Sequence, residues 1–317
     1  MPREPVLPWN GRSICFPPWS DRLRISPRPA KAIHNGLNLF DTYHPFRSAT
    51  VNFARAFVGL GGHRLWRWLD STSMSNAAWW SEFHVSVVEP IVGKIGSAAV
   101  ARRYDRVDAL LMGNDGAAKA FAKVLSTQED VDRMRREGHV LQLILAARPA
   151  NFRVPAILTE GTLHGLHYWL FEPLPDGPHW RPPPDPVLIA GVIDELQDCL
   201  QDLGKPPNAL GHHVPAHGDF THRNLRLCTD GGLWLFDWEY CDWMPLLADE
   251  LRYWTCHYAY RTIPRPRAAA RDILNILNQR GTTDDICEAV AWPEYNRQSE
   301  AAIRGEIWKL LAGRAVN

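Results

Sequence analysis

The chain has 317 residues, of which 45% are hydrophobic and 22% charged, so it can bury one large core or two ordinary ones. This composition excludes a disordered, collagen-like or coiled-coil protein. No stretch approaches the roughly 20 apolar residues of a membrane helix, and the N-terminal sequence lacks the apolar stretch of a signal peptide. These features predict a soluble, cytoplasmic protein without a transmembrane segment.

The net charge, its distribution along the chain and the spacing of the cysteines exclude further classes of protein. The net charge is zero, which argues against a nucleic-acid binder that depends on phosphate contacts. Residues 1–184 carry 22 basic and 16 acidic side chains, whereas residues 185–317 carry 13 and 19. This split fits a basic part that meets an anion and an acidic part that meets a metal or a cationic substrate, and it fits uneven surface charge equally well. Six widely spaced cysteines without a CxxC pair predict free thiols.

The N-terminal quarter of the chain is expected to precede the main domain. Residues 1–30 contain seven prolines, too many for a helix or a central strand, and predict a proline-rich arm outside the fold. Residues 31–75 predict a helical extension, with one helix over 48–58 and a short one over 63–70. The tryptophans and arginines of the second helix also fit peripheral membrane contact, but we favour packing on the domain.

A β-rich part follows over residues 76–172. Short apolar runs bounded by Gly, Asn or Asp predict antiparallel strands; they lie at 83–93, 98–113, 117–125, 153–160 and 167–174. A helix at about 127–146, with Thr127 as its N-cap, interrupts them. The proline-rich segment 173–186 predicts a hinge or linker, and residues 187–317 are mainly helical in pattern. The expected fold class is therefore α+β, with a β-rich and an α-rich lobe.

The segment 214–243 carries the clearest chemistry. Its apolar runs at 225–228 and 233–236 flank the turn sequence TDGG and predict a β-hairpin. Asn224 precedes the first strand and Asp237 follows the second, so antiparallel pairing places an amide oxygen beside a carboxylate. Mg²⁺ prefers such oxygen ligands and completes its shell with phosphate oxygens and water. Asp219 is close enough in sequence to orient a hydroxyl that attacks a bound phosphate.

The same segment resembles a known family. The pattern H-G-D-x4-N followed by D-W-E is similar to the motifs of the aminoglycoside phosphotransferase and choline kinase group, within the protein-kinase-like superfamily. The resemblance implies a bilobal kinase-like fold, ATP and Mg²⁺ as cofactors, Asp219 as catalytic base, and Asn224 and Asp237 as metal ligands. It further implies that His217 shapes the loop and that Asp249, in ADELRY, braces it.

A kinase-like N-lobe also needs a lysine that grips the nucleotide phosphates and a glutamate that holds the lysine. Lys119 and Lys123 lie four apart on one strand face, so periodicity alone does not choose between them. We favour Lys123, because its FAKV context resembles the family's strand and it lies 14 residues before Glu137, the one acid in the middle of the next helix. A surface lysine and a solvated glutamate remain the alternatives.

The nucleotide base is expected at the end of the last N-lobe strand, where Phe171 and Glu172 precede the prolines. One departure from the family pattern concerns the phosphates. Between the first two predicted strands there is no clean glycine-rich loop, only VGKIGSA with Gly93 and Gly96. The sequence therefore does not predict phosphate binding by such a loop.

Two other functions compete with phosphoryl transfer. The cluster of His212, His213, His217, Asp219 and His222 could form the zinc site of a hydrolase, although Pro215 disfavours the helix that would align two of the histidines. The chain could also be a kinase-like protein that binds nucleotide without catalysis.

The acceptor is open at this stage. Helical sequence resumes at about Leu246, so no long activation segment follows Asp237, and this disfavours a peptide substrate. A hydroxyl of a small molecule or a glycan is preferred. The acidic excess suits a cationic acceptor, whereas Trp243, Trp254 and Tyr258 suit a sugar.

Overall fold

The structure of the protein is a computed structural model. It describes residues 14–16, 23–25, 29–39, 51, 53–58, 78–103, 106–206, 212–259, 265–292 and 298–315. The chain divides into two compact units. The first comprises Met1–Met134, Pro155–Trp180 and Cys228–Gly231, and the second comprises Arg135–Val154, Arg181–Leu227 and Gly232–Asn317.

The first unit is built on an antiparallel sheet. Its strands are β1 (Ile14–Phe16), β2 (Leu23–Ile25), β3 (Ser97–Arg103), β4 (Arg106–Met112), β5 (Ala118–Leu125), β6 (Ile157–Leu163) and β7 (Leu166–Phe171). They are ordered β1-β2-β3-β4-β5-β7-β6, and every neighbouring pair is antiparallel. The helices are α1 (Ala30–Gly36), helical residues at 51 and 53–58, α2 (Ala78–Glu82), a π-helical segment Phe83–Val88, and α3 (Glu89–Val92).

The expectation that residues 1–30 lie outside the fold is wrong. Strands β1 and β2 come from this part of the chain, and β2 pairs with β3 from Leu23↔Ala101 to Ile25↔Ala99. Proline blocks a strand only where a backbone N–H is needed inside it. The two three-residue strands contain no proline, and the prolines lie between and beside them.

The predicted strand at 83–93 is also wrong, because this stretch is helical. Its valines and isoleucine suggested a strand. Its buried side chains follow a helical spacing instead, since Trp80, Phe83 and Val88 face the core with Val92 packed beside them. Burial of one helical face overrides the β propensity of the individual residues.

The sheet of the first unit has a hydrophobic core on each face. On one face, Trp80, Phe83 and Val88 pack on the alternate residues of β3, β4 and β5. On the other, α1 and the helical residues near 51–58 pack on Ile25, Ala99, Leu110 and Met112. The N-terminal extension is thus part of a core. The short helix predicted over 63–70 lies outside the described residues.

The second unit is mainly helical. Helix α4 (Gln128–Ala147) begins in the first unit and ends in the second, and Thr127 caps it through a 3.3 Å hydrogen bond from the Asp130 N–H. The remaining helices are α5 (Pro186–Cys199), α6 (Ala248–Ala259), α7 (Pro266–Leu277), α8 (Thr283–Ala291) and α9 (Gln298–Ala315).

Two short antiparallel ladders accompany these helices. Strand β8 (His213–Ala216) pairs with β11 (Asp242–Pro245), and β9 (Leu225–Leu227) pairs with β10 (Leu233–Leu235). The α+β class is confirmed. No helix in the described part of the chain has the length and apolar character needed to span a membrane.

Candidate active site

The predicted hairpin is confirmed and sets the geometry of the site. Strands β9 and β10 pair from Leu225↔Leu235 to Leu227↔Leu233, and the Phe236 N–H donates to the Asn224 carbonyl over 3.0 Å. Asn224 and Phe236 therefore form the next step of the ladder, and Asp237 follows directly. The hairpin thus brings the backbone at Asn224 beside the residue that precedes Asp237.

The side chains of Asp219 and Asn224 are joined within the loop that leads into β9. Nδ2 of Asn224 donates to the Asp219 carbonyl over 2.9 Å and to Asp219 Oδ2 over 3.0 Å. Both neighbours are acceptors, so the amide must present its NH₂ group to them. Among the described residues, no hydrogen bond reaches the amide oxygen of Asn224. This oxygen is left available for another ligand.

Arg252 on α6 forms an ion pair with Asp219 that the sequence analysis missed. Its Nε and Nη2 both donate to Asp219 Oδ1, over 3.1 and 2.8 Å. A sequence signal existed, because Arg252 follows Asp249 by three residues and residues at i and i+3 share a helix face. A residue on the same face as the predicted brace was a candidate to contact the same loop.

His217 is a buried, neutral part of the loop. Its Nε2 donates to the Phe236 carbonyl over 3.1 Å, and its Nδ1 accepts from the Asp219 N–H at 3.3 Å. The imidazole packs 4.5 Å from the Trp238 ring. Burial lowers the pKa of His217, against the smaller raising effects of the Asp219 and Asp237 carboxylates. Both aspartates act electrostatically on this imidazole, whose loop-shaping role stays a prediction.

Asp249, in the first turn of α6, braces the backbone of the loop. Its Oδ2 accepts from the His217 N–H over 2.7 Å and its Oδ1 from the Gly218 N–H over 3.1 Å. The side chain is 2% exposed, so these are buried, charge-assisted hydrogen bonds. Gly218 has φ +81°, and a Cβ there would lie 2.2 Å from the Tyr240 carbonyl oxygen. Only glycine fits this position without a backbone shift.

Asp237 adopts an uncommon backbone conformation at the exit of the hairpin. Its φ is +71°, in the left-handed region that few residues other than glycine occupy. The following Trp238 is fully buried and packs between His217 and Phe152, with ring centroids 4.5 and 6.5 Å away. Burial of Trp238 anchors the chain just beyond the half-buried Asp237.

In the first unit, burial separates the two candidate lysines. Lys123 on β5 is 4% exposed, whereas Lys119 is exposed. Nζ of Lys123 lies 5.7 Å from the centroid of the Phe171 ring, and its cross-strand neighbours are Asp108 and Trp169. A lysine is rarely buried unless it is paired with another group, so burial distinguishes Lys123 from Lys119.

Glu137 and Glu172 are both positioned by regular structure. Glu137 is 3% exposed on α4, in the part of that helix that belongs to the second unit. Glu172 follows β7 in the first unit, where its backbone N–H donates to the Ala156 carbonyl over 2.8 Å and its Oε2 accepts from the Ala156 N–H over 3.3 Å. The solvated-surface alternative for Glu137 does not fit its burial.

Gly93 and Gly96 precede β3, and each lies where a side chain would strain the backbone or clash with a neighbour. Gly93, with φ +77°, ends α3, and Gly96 lies against Asn114, whose Oδ1 would be 2.0 Å from an added Cβ. Residues 93–96 connect a helix to β3 and do not join two strands. The expectation that they lie between two strands is therefore wrong, because the segment before them is a helix.

The histidine cluster does not form a metal centre. Among the described residues, no group of three or more His, Cys, Asp and Glu side chains is arranged to hold a metal ion. His212 Nδ1 faces Asp285 at 3.3 Å, His213 Nε2 lies 3.2 Å from Glu288, and both nitrogens of His217 are used within the loop. These nearby histidines are thus directed to different partners.

No family model and no curated protein matches the chain. Among solved structures, it is similar to the crystal structure of "Putative fructosamine-3-kinase" from Haemophilus somnus 129PT, with 12% identity over 69% of this chain and 92% of that chain and a TM-score of 0.37. It is also similar to WbdD bound to the kinase inhibitor LY294002, with 15% identity over 69% of this chain and 45% of that chain and a TM-score of 0.34. A second WbdD structure gives 16% identity, 66% and 48% coverage, and a TM-score of 0.32.

Proposed function

We propose that the protein is an ATP-dependent phosphotransferase that moves the γ-phosphoryl group to a hydroxyl of a small molecule or glycan. One observation carries the proposal. The Asp219 carboxylate is held at both oxygens, while the Asn224 amide that holds it keeps its own oxygen available beside the hairpin end where Asp237 follows. A fixed carboxylate next to two hard oxygen groups suits the transfer of a metal-bound phosphoryl group.

In this proposal Asp219 orients the acceptor hydroxyl and takes its proton. The acceptor O–H bond breaks, its oxygen bonds to the γ-phosphorus, and the bond from that phosphorus to the β,γ-bridging oxygen breaks, so that ADP leaves. Asn224 and Asp237 are the proposed Mg²⁺ ligands, and the ion supplies neutralisation of phosphate charge when bound. The donor set fits a hard cation, since one ligand is a carboxylate and the other an amide oxygen.

The remaining nucleotide contacts rest on the motif resemblance and on burial. Lys123 is the proposed phosphate-binding lysine and Glu137 the carboxylate that holds it. Phe171 and Glu172 are the proposed residues beside the nucleotide base. The burial of Lys123 and Glu137 supports these roles, because Lys and Glu side chains are almost never fully buried unless they are paired with another group.

The described residues also bear on the acceptor. Strand β11 and α6 follow Asp237 closely, so a long activation segment of the kind that binds peptides does not fit between 237 and 248. Trp254 is 2% exposed and packs in the core, which removes it from the aromatic residues considered for sugar binding. Trp243 and Tyr258 are partly exposed and remain candidates.

The proposal is tested by phosphoryl transfer from γ-labelled ATP to a panel of hydroxylated metabolites and oligosaccharides. Asp219→Asn is expected to lower kcat by about 10²–10⁴-fold, the usual contribution of a catalytic base. Asp237→Asn is expected to abolish turnover and to weaken Mg²⁺-dependent binding of a non-hydrolysable ATP analogue, measured by calorimetry. Asp242→Asn, an exposed aspartate in the same stretch, is the matched control and should behave as wild type.

Three outcomes would contradict the proposal. Full activity in Asp219→Asn would show that Asp219 is not the catalytic base. Nucleotide binding by wild type without transfer to any acceptor would favour a non-catalytic kinase-like protein. Stoichiometric zinc in the purified chain would revive the hydrolase alternative.

A further inference from the structure

We infer that Arg252 is the positioning residue that fixes Asp219 for the reaction, an inference that rests on the proposed function. The Arg252 side chain is 11% exposed and that of Asp219 is 24% exposed, so the pair is largely shielded from water. Such an ion pair is screened less by solvent and salt than an exposed one. It is therefore able to restrain the carboxylate.

The contact makes the two oxygens of Asp219 inequivalent. Oδ1 accepts two N–H groups of the Arg252 guanidinium, at 3.1 and 2.8 Å, whereas Oδ2 accepts one N–H of Asn224 at 3.0 Å. A carboxylate oxygen has two lone pairs, so Oδ1 is saturated and Oδ2 keeps one. The proton of the acceptor hydroxyl is directed to Oδ2, on the side of Asn224.

One turn of α6 holds three consecutive residues of the loop. Asp249 accepts the backbone N–H groups of His217 and Gly218, and Arg252 holds the side chain of Asp219. The guanidinium is planar and presents its donors at fixed angles, unlike the flexible ammonium of lysine. Arginine at this position therefore sets the orientation of the Asp219 carboxylate as well as its location.

A structural ion pair and a positioning residue predict different kinetics. A displacement of about 1 Å at a reacting group costs roughly 100-fold in rate. Arg252→Ala is therefore expected to lower kcat of phosphoryl transfer by about 100-fold while leaving the KM for Mg·ATP near the wild-type value. Millimolar guanidinium, far below denaturing concentrations, should restore part of kcat in Arg252→Ala and none in Asp219→Asn. Arg252→Lys should fall between wild type and Arg252→Ala.

The control is Arg133→Ala, which removes a half-buried arginine paired with Glu129 on α4 and should leave both constants unchanged. Wild-type kcat in Arg252→Ala would overturn the inference. A loss confined to KM, or a loss of kcat that guanidinium does not restore, would also overturn it, because either result describes a structural role.

A second measurement separates this inference from the proposed function. In a double-mutant cycle of Arg252→Ala and Asp219→Asn, followed by urea unfolding, the inference predicts that the two losses are not additive. If the wild type phosphorylates no acceptor, the proposed function fails, and the cycle still decides whether Arg252 restrains Asp219. Additive losses would refute that restraint.

Discussion

The contacts of Asp249 with the loop that carries Asp219 give the sharpest stability prediction. In Asp249→Asn, one carboxylate oxygen that accepts a buried N–H of His217 or Gly218 becomes an NH₂ group facing that same donor. A hydrogen bond to a charged group contributes about 1.5–3 kcal/mol, and the buried donor left unpaired adds to the loss. We therefore expect the free energy of unfolding to fall by about 2–4 kcal/mol, a large part of the roughly 5–15 kcal/mol that stabilises a typical domain.

Urea unfolding followed by tryptophan fluorescence measures this loss, and phosphoryl transfer at low urea measures the effect on kcat. Asp185→Asn is the control, because the Asp185 carboxylate caps α5 through one exposed hydrogen bond from the Val187 N–H and asparagine caps helices equally well. We expect kcat to fall in Asp249→Asn alone, since its loop is no longer held at two backbone groups. Equal unfolding midpoints for the two variants would refute the reasoning.

Three further predictions concern a buried acid, a glycine and the N-terminal extension. Burial raises the pKa of Glu250 from 4.5 to about 7, so the folded state binds more protons between these values and the wild-type free energy of unfolding falls as pH rises through this window. The free energy of unfolding of Glu250→Gln should therefore rise by about 3 kcal/mol relative to that of wild type as the pH goes from about 5 to about 8. Urea titrations measure this difference, and a difference that does not change with pH would contradict the assignment. Gly218→Ala should lower the thermal midpoint well below that of Gly231→Ala, because both glycines have a similar positive φ but only Gly218 would place its Cβ against the Tyr240 carbonyl; equal midpoints would show that the close approach is absent. Asn35→Ala should cost about 1–3 kcal/mol and speed proteolysis near the N terminus, since the buried amide makes hydrogen bonds to a carbonyl, a carboxylate and an N–H, and an unchanged midpoint would show that the extension adds nothing to the core.

The geometry of the candidate site segment was predictable because its sequence signals are local. The turn sequence between the two apolar runs fixes the register of the β9–β10 hairpin, and the register alone places Asn224 one ladder step before Asp237. The contact between Asp219 and Asn224 spans five residues of one loop. Motif spacing carries such short-range geometry directly.

The parts that were missed depend on partners distant in sequence. Strand β2 forms because β3, more than 70 residues later, offers it a free edge, and no pattern within residues 1–30 reveals that edge. The helix over 83–92 forms because one of its faces is buried on the sheet, whereas its composition favours a strand. Contacts with residues distant in sequence decided both cases.

The energetic cost of the loop is itself an argument for function. Asp237 holds a left-handed backbone conformation, which costs about 1–3 kcal/mol when a residue other than glycine adopts it. Asp249 is buried as an acceptor of backbone N–H groups, and burial keeps His217 neutral by lowering its pKa. Residues in strained backbone conformations cluster at active sites and ligand-binding sites, where the surrounding structure holds them in place. Strain and buried polar groups concentrated around Asp219 are what a site must retain when the position of one carboxylate matters more than stability.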